Sequence, residues 1–128
     1  MEAYRPHMNV KMRSEKVTDH AKGQPCTIRI ASFVPGRQCS GQDTTVFTHF
    51  GGPTKGTSTK VSDFDGGFGC AVCHSIIDGP DKKAREYLFE RYPAAVENRM
   101  RLSVSETLSI LFRDGIITVD GAEIVGKL

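Results

Sequence analysis

Cys70 and Cys73 stand three positions apart with His74 directly behind, a spacing that lets two thiolates grip one metal ion from a single turn of chain. The other two cysteines, Cys26 and Cys39, lie upstream, and His49 falls between the two pairs. Zinc takes four tetrahedral ligands and thiolates suit it, so Cys26, Cys39, Cys70 and Cys73 form a candidate structural zinc site joining distant segments. Such a cage leaves no open coordination position, and any catalysis then falls to groups beside it, of which His49 and His74 are the candidates. Two other readings of the thiols stand beside this one. Free cysteines are often small buried hydrophobes. A Cys-x-x-Cys pair can also be a redox pair, which needs a strand-to-helix setting that the local sequence does not announce.

The 128 residues make one domain able to bury a core, yet small enough for a metal to be a useful reinforcement. With 38% hydrophobic and 25% charged residues, the chain reads as globular, and no apolar run approaches a bilayer span. The first residues, Met1 to His7, lack the apolar stretch of a secretion signal, so the expected location is the reducing cytoplasm, where disulfides are disfavoured. That absence also argues against haem attachment, the other common use of Cys-x-x-Cys-His. A net charge of +2 is too mild to identify a polyanionic partner by itself.

These side chains need elements to hold them. Residues 1–13 show no periodicity and read as an arm or an irregular strand, with one domain expected over 14–128. Ser14 caps a short helix that Gly23 stops. Cys26 to Ile30 alternates in β-branched residues as a half-buried strand would, and Pro35-Gly36 turns the chain so that Cys39 returns towards Cys26. Thr44 to Phe50 is a second strand, with His49 at the base of a Gly-, Thr- and Lys-rich loop from Gly51 to Lys60. That loop is no phosphate-binding P-loop, because Thr57 stands where Lys should follow Gly56. Asp78-Gly79-Pro80 opens a helix over 80–91, and a longer one over 94–113 repeats Val96, Met100, Val104, Leu108 and Leu111 at three- and four-residue steps as its core face. Asp120-Gly121 between β-favouring runs predicts a closing hairpin over 116–125.

On these residues the chain resembles the HNH, or ββα-metal, endonucleases. In those enzymes a His ending a strand activates water, and a His opening the next helix holds a divalent cation; His49 and Cys73-His74 occupy these places. The likeness is nearest to the prophage nucleases of the YbcO type. It is carried by Gly23 to Cys26 with Ile28-Arg29-Ile30, by Cys39, His49 and Asp63, and by Cys70 to His74 with Ile77-Asp78, weakening towards Gly115-Ile116-Ile117. The resemblance implies an α+β fold: a zinc-stapled HNH-like ββα core followed by helices and a short hairpin.

It also implies a metal-dependent endonuclease that hydrolyses DNA phosphodiesters in the bacterial cytoplasm, in the company of phage recombination or replication proteins. His49 would be the general base, since an imidazole with a pKa of about 6.5 is partly free to take a proton near neutrality. His74, with Asp63 or Asp65, would hold a magnesium or manganese ion. Two departures are visible: Thr48 replaces the Asp that usually precedes the base, and the Asn of the HNH name is missing, with Asp63 and Asp65 near its place. They leave open an alternative in which the scaffold is a zinc-stabilised module that binds nucleic acid or protein without cutting. Phosphate contacts would come from Lys55 to Lys60 and from Arg29 or Arg37. His7 and His20 lie outside the motif and read as solvated surface residues.

Overall fold

The computed structural model describes residues 11–51 and 61–126. Its elements run α1 (Glu15–Asp19), β1 (Val46–His49), β2 (Gly66–Gly69), α2 (Ala71–Asp78), α3 (Lys82–Arg91) and α4 (Pro93–Arg113), with single 3-10 turns at Ala31–Phe33 and Gln42–Thr44. Among the described residues the fold is α+β: four helices around one small antiparallel sheet. None of the described helices is long and apolar enough to cross a membrane.

Helix ends follow the local chemistry. Ser14 accepts the Val17 amide at the start of α1, Asp81 accepts that of Ala84 at the start of α3, and Pro93 occupies the first turn of α4, where its missing N–H costs nothing. Gly79, at φ 103°, closes α2 in the left-handed conformation that glycine adopts without a Cβ clash. The sequence places α3 and α4 within two residues of these bounds.

The sheet is less obvious. β1 pairs with β2 so that Val46, Phe47, Thr48 and His49 oppose Gly69, Phe68, Gly67 and Gly66. Three glycines in four residues make a poor strand by propensity. This one forms because α4 lies directly against it. A Cβ on Gly67 would come within 2.0 Å of Ser103 Oγ and 3.1 Å of Thr27 Oγ1, so nothing larger than hydrogen fits.

That close approach also corrects the face read for α4. Its fully buried positions are Val96, Ser103, Thr107, Ile110 and Leu111, while Met100, Val104 and Leu108 are only half-buried. Mid-helix, the groove over the glycine strand admits small side chains alone. Their hydroxyls are satisfied there: Thr27 Oγ1 bonds Ser103 Oγ at 2.6 Å and Thr107 Oγ1 at 3.0 Å, and the Phe68 amide donates to both threonines.

Two apolar clusters result. Ile28, Ile30, Ala31, Val34, Ile76, Leu88 and Val96 surround Cys70 and Cys73. Phe68 joins Val17, Ala21, Ile110 and Leu111 on the other side of the sheet strand. His20 proves to be more than a solvated side chain: its Nε2 lies 2.8 Å from Asp114 Oδ2, tying the end of α1 to the end of α4. Arg113 and then His20 together hold the Asp114 carboxyl down at about 2.

One predicted strand and one predicted hairpin are absent from the described residues. Cys26 to Ile30 does not extend, because Arg29 takes φ 51° and bends the chain. The 116–125 hairpin reduces to a turn in which the Ala122 amide meets the Val119 carbonyl at 3.0 Å. Val119, Ile124 and Val125 stay exposed rather than pairing. Residues 1–10 of the expected arm, with His7, and residues 52–60 of the expected loop lie outside the described residues. Met12 and Arg13 do not project from the domain: the Met12 carbonyl accepts the Asp63 amide at 2.9 Å, and Arg13 donates to the Val61 carbonyl.

Gly67→Ala should therefore destabilise the protein by about 1–3 kcal/mol, the usual cost of overfilling a packed interior. Urea unfolding measures it, and an unchanged midpoint would mean that β2 and α4 are not in close contact.

Candidate metal centre and histidine site

Cys70 sits at the junction where β2 becomes α2. Its Sγ caps the helix by accepting the Cys73 amide at 3.4 Å, and Cys73 lies one turn on, facing inward. This is a strand-to-helix setting, which the local sequence had not announced because a glycine-rich strand leads into it. Cys26 and Cys39 arrive on the bent segment before and after the 3-10 turn at Ala31–Phe33. The four Sγ atoms all lie within 4.8 Å of one another, and none is in a disulfide. Cys39 and Cys73 are 3.7 Å apart at sulfur. With zinc–sulfur bonds of about 2.3 Å, the edge of a tetrahedron of thiolates is about 3.8 Å, so the set has the size of a zinc cage.

Amide donors reinforce the fit. Arg29 donates its backbone N–H to Cys26 Sγ at 3.5 Å, and Cys73 donates its own to Cys70 Sγ at 3.4 Å. N–H···S bonds favour the charged form of sulfur. In the absence of a cation, however, four thiolates cannot coexist at this spacing. The Cys73 hydrogen bond holds the Cys26 thiol down at about 4. Burial, and then the charges of Cys26 and Cys70, push Cys39 up to about 12. Cys73 is pushed up as well, by its bond to Cys26 and by burial. One negative charge is accommodated and the others repel it, the balance that a divalent cation reverses. The four cysteines thus form a set able to hold a metal such as zinc. A lone redox pair is a poor description of them, since neither sulfur of Cys70 and Cys73 stands apart from the other two.

His49 ends β1 and is about one-third exposed, its ring edge-on to Phe47 at 5.0 Å between centroids. Its Nε2 lies 2.8 Å from Oδ1 of Asp63, whose side chain is only 7% exposed. Burial pushes the Asp63 carboxyl up, but the His49 hydrogen bond, the Ser14 amide at 2.8 Å and the charges of His49 and Arg13 outweigh it and leave the group below its ordinary value. Asp63 is therefore ionised near neutrality, which makes Nε2–H the donor and leaves the lone pair of a neutral ring on Nδ1. The partnership of Asp63 with Ser14 has no signal in the sequence, where Ser14 is legible only as a helix cap.

The remaining candidates are placed differently. His74 lies half-buried in the first turn of α2, where its amide meets the Cys70 carbonyl at 2.8 Å. Asp65 is exposed, and its carbonyl accepts the Phe50 amide at 3.0 Å beyond the end of the sheet. Among the described residues the four cysteines are the one group of three or more donors close enough to share an ion, so His74, Asp63 and Asp65 do not gather into a second set. Thr48 is wholly buried, pointing to the opposite side of β1 from His49. Arg29 and Arg37, offered as phosphate contacts, are paired with Glu106 and Asp81 at 2.8 Å each; Lys55 and Lys60 fall outside the described residues.

Comparison with known families matches the chain, over residues 15–115, to the family described as "Putative nuclease YbcO". No curated protein and no solved structure matches the chain.

Two outcomes follow from the geometry. The purified chain should carry about one zinc ion per molecule, and chelation should unfold it, because binding energy at such a site is folding energy. Elemental analysis and melting with and without chelator test this, and a metal-free chain with an unchanged melting temperature would count against the site. Asp63→Asn should lower stability at pH 7 by about 1–3 kcal/mol through loss of bonds to a charged acceptor. Because the folded carboxyl lies below its unfolded value of about 3.9, this contribution is complete above that pH and disappears as acid carries the folded group through its own lower value. Unfolding curves of both proteins from pH 7 downwards should converge at the acid end.

Proposed function

The chain belongs to the family described as "Putative nuclease YbcO", and from that membership we propose that it is a metal-dependent endonuclease of HNH type, hydrolysing phosphodiester bonds in DNA. The observation that carries the reading is the His49–Asp63 pair at 2.8 Å, held at the end of β1 in the strand-strand-helix unit that also bears Cys70 and Cys73. His49 takes a proton from water on Nδ1. The water oxygen then bonds phosphorus, and the bond to the leaving sugar oxygen breaks. Asp63, anchored by Ser14 and Arg13, keeps the ring oriented and stabilises the imidazolium that forms. The cysteine set holds zinc as a structural ion. A magnesium or manganese ion completes the proposal, with His74 as its protein donor; when bound, such an ion would supply positive charge to the phosphate. The biological setting belongs to the same proposal: DNA as partner, in the bacterial cytoplasm, during phage recombination or replication.

One observation favours a second reading. Thr48 stands where the resembling endonucleases carry an Asp beside the base, and it is buried with its hydroxyl 3.4 Å from the Val46 carbonyl, offering nothing to an ion on the His49 side. On that ground the protein would be a zinc-stabilised module that binds nucleic acid or a protein partner without chemistry.

Nicking of supercoiled plasmid with magnesium or manganese separates the two. Cleavage that falls on the order of 100-fold or more in His49→Ala, with zinc content and melting temperature retained, is the expected result for a general base. A wild-type protein inert on single-stranded, duplex and branched DNA with every metal would leave the binding module as the function.

A further inference from the structure

The segment that carries Cys26 is gripped from outside. Three successive carbonyls, those of Cys26, Thr27 and Ile28, each accept a guanidinium N–H. Arg29 Nη1 donates to Cys26 at 3.3 Å, and Arg99 reaches over from α4 to donate Nη2 to Thr27 at 2.6 Å and Nε to Ile28 at 3.1 Å. Glu106, two helical turns beyond Arg99, accepts from both arginines, at 2.8 Å from Arg29 and 3.4 Å from Arg99.

In a trans peptide the carbonyl and the amide of the same unit point in opposite directions. Each carbonyl held outward therefore fixes an amide pointing inward. The Cys26 carbonyl shares its peptide with the Thr27 amide, which donates to the Phe68 carbonyl of β2 at 2.7 Å. The Thr27 carbonyl shares its unit with the Ile28 amide, and the Ile28 carbonyl with the Arg29 amide. The Arg29 amide is the one that donates to Cys26 sulfur, with Arg29 at φ 51°, a conformation that costs a non-glycine residue about 1 kcal/mol or more. Nothing in the local sequence favours that bend. The two bonds from Arg99, itself braced by Glu106, are what hold it.

We infer that Arg99 is the positioning residue of the metal centre, and that with Glu106 it determines how firmly the Cys26 half of the centre keeps its ion. The inference rests on the cysteine set holding a metal, and it assigns α4 a part in metal retention although no ligand comes from that helix.

The test uses the zinc-loaded full chain and follows zinc transfer to a chromogenic chelator. Arg99→Ala should release zinc on the order of tenfold faster, the equivalent of one lost hydrogen-bonded contact. Arg99→Lys should remain close to Arg99→Ala, because one ammonium cannot reproduce two parallel bonds. Glu106→Gln should fall between them and wild type. Glu97→Gln, exposed on the same helix, should match wild type. Cobalt(II) substitution supplies a readout that general destabilisation does not move: the thiolate-to-cobalt absorption bands of Arg99→Ala should shift as Cys26 sulfur loses the Arg29 amide. Wild-type transfer rates in Arg99→Ala, or a lower melting temperature with an unshifted cobalt spectrum, would overturn the inference. Should Arg99→Ala not fold, the Arg99→Lys and Glu106→Gln rates decide by the same criteria. A wild-type chain that holds neither zinc nor cobalt overturns the metal centre itself, and is seen before any variant is compared.

Discussion

Four sulfurs converging within 4.8 Å are the constraint around which the rest of this chain is arranged. Two of them ride on one helix turn, and the other two must be delivered by an irregular segment with little regular hydrogen bonding of its own. The apolar cluster of Ile28, Ile30, Ala31, Val34, Ile76 and Leu88 closes around that junction. A core of this size gives limited stability in a small domain, and a metal adds most where it joins segments distant in sequence.

The glycine strand serves the same end from the other side. Because β2 lacks side chains at three of its four positions, α4 can approach closely enough for Arg99 to reach the Thr27 and Ile28 carbonyls, and for Ser103 and Thr107 to share hydrogen bonds with Thr27. Thr27 stands at the centre of this arrangement: its amide and hydroxyl both bond Phe68, and its neighbour Cys26 carries a sulfur of the cluster. Packing of sheet on helix and shaping of the cysteine segment are thus one set of contacts. The histidine site is joined to the same sheet. His49 stands opposite Gly66 in the register, and Asp63 is held by the chain ahead of α1. Residues 12–14 bond 61–63 directly, and the pairing of β1 with β2 brings His49 to them.

Much of this was legible beforehand where the signal is local. Ser14, Asp81 and Pro93 announce helix starts through donors that the first turn leaves unpaired, and β1 shows the β-branched and aromatic content of a strand. The errors share a cause. Cys26 to Ile30 alternates as a strand does, but Arg99 and the sulfurs recruit its peptide groups and bend it at Arg29. The β-favouring runs around Asp120-Gly121 have a turn but do not pair: Ile116 and Ile117 pack on the Phe68 cluster instead, and Val119, Ile124 and Val125 stay exposed. α4 has its predicted length, with a buried face rotated towards Ser103 and Thr107 because the partner is a strand of glycines.

Taken alone, the sequence determined the set of possible ligands, the helices whose caps and apolar spacing are written within a few residues, and the histidine at the end of a strand. Tertiary structure decided that Gly66 to Gly69 would be a strand, that Arg29 would turn left-handed, and that Asp63 would face both His49 and Ser14. The division has a physical basis. Caps and periodicity act over one or two turns of chain, whereas these three outcomes depend on contacts between residues from 14 to more than 70 positions apart, whose energy overrides weak local preference.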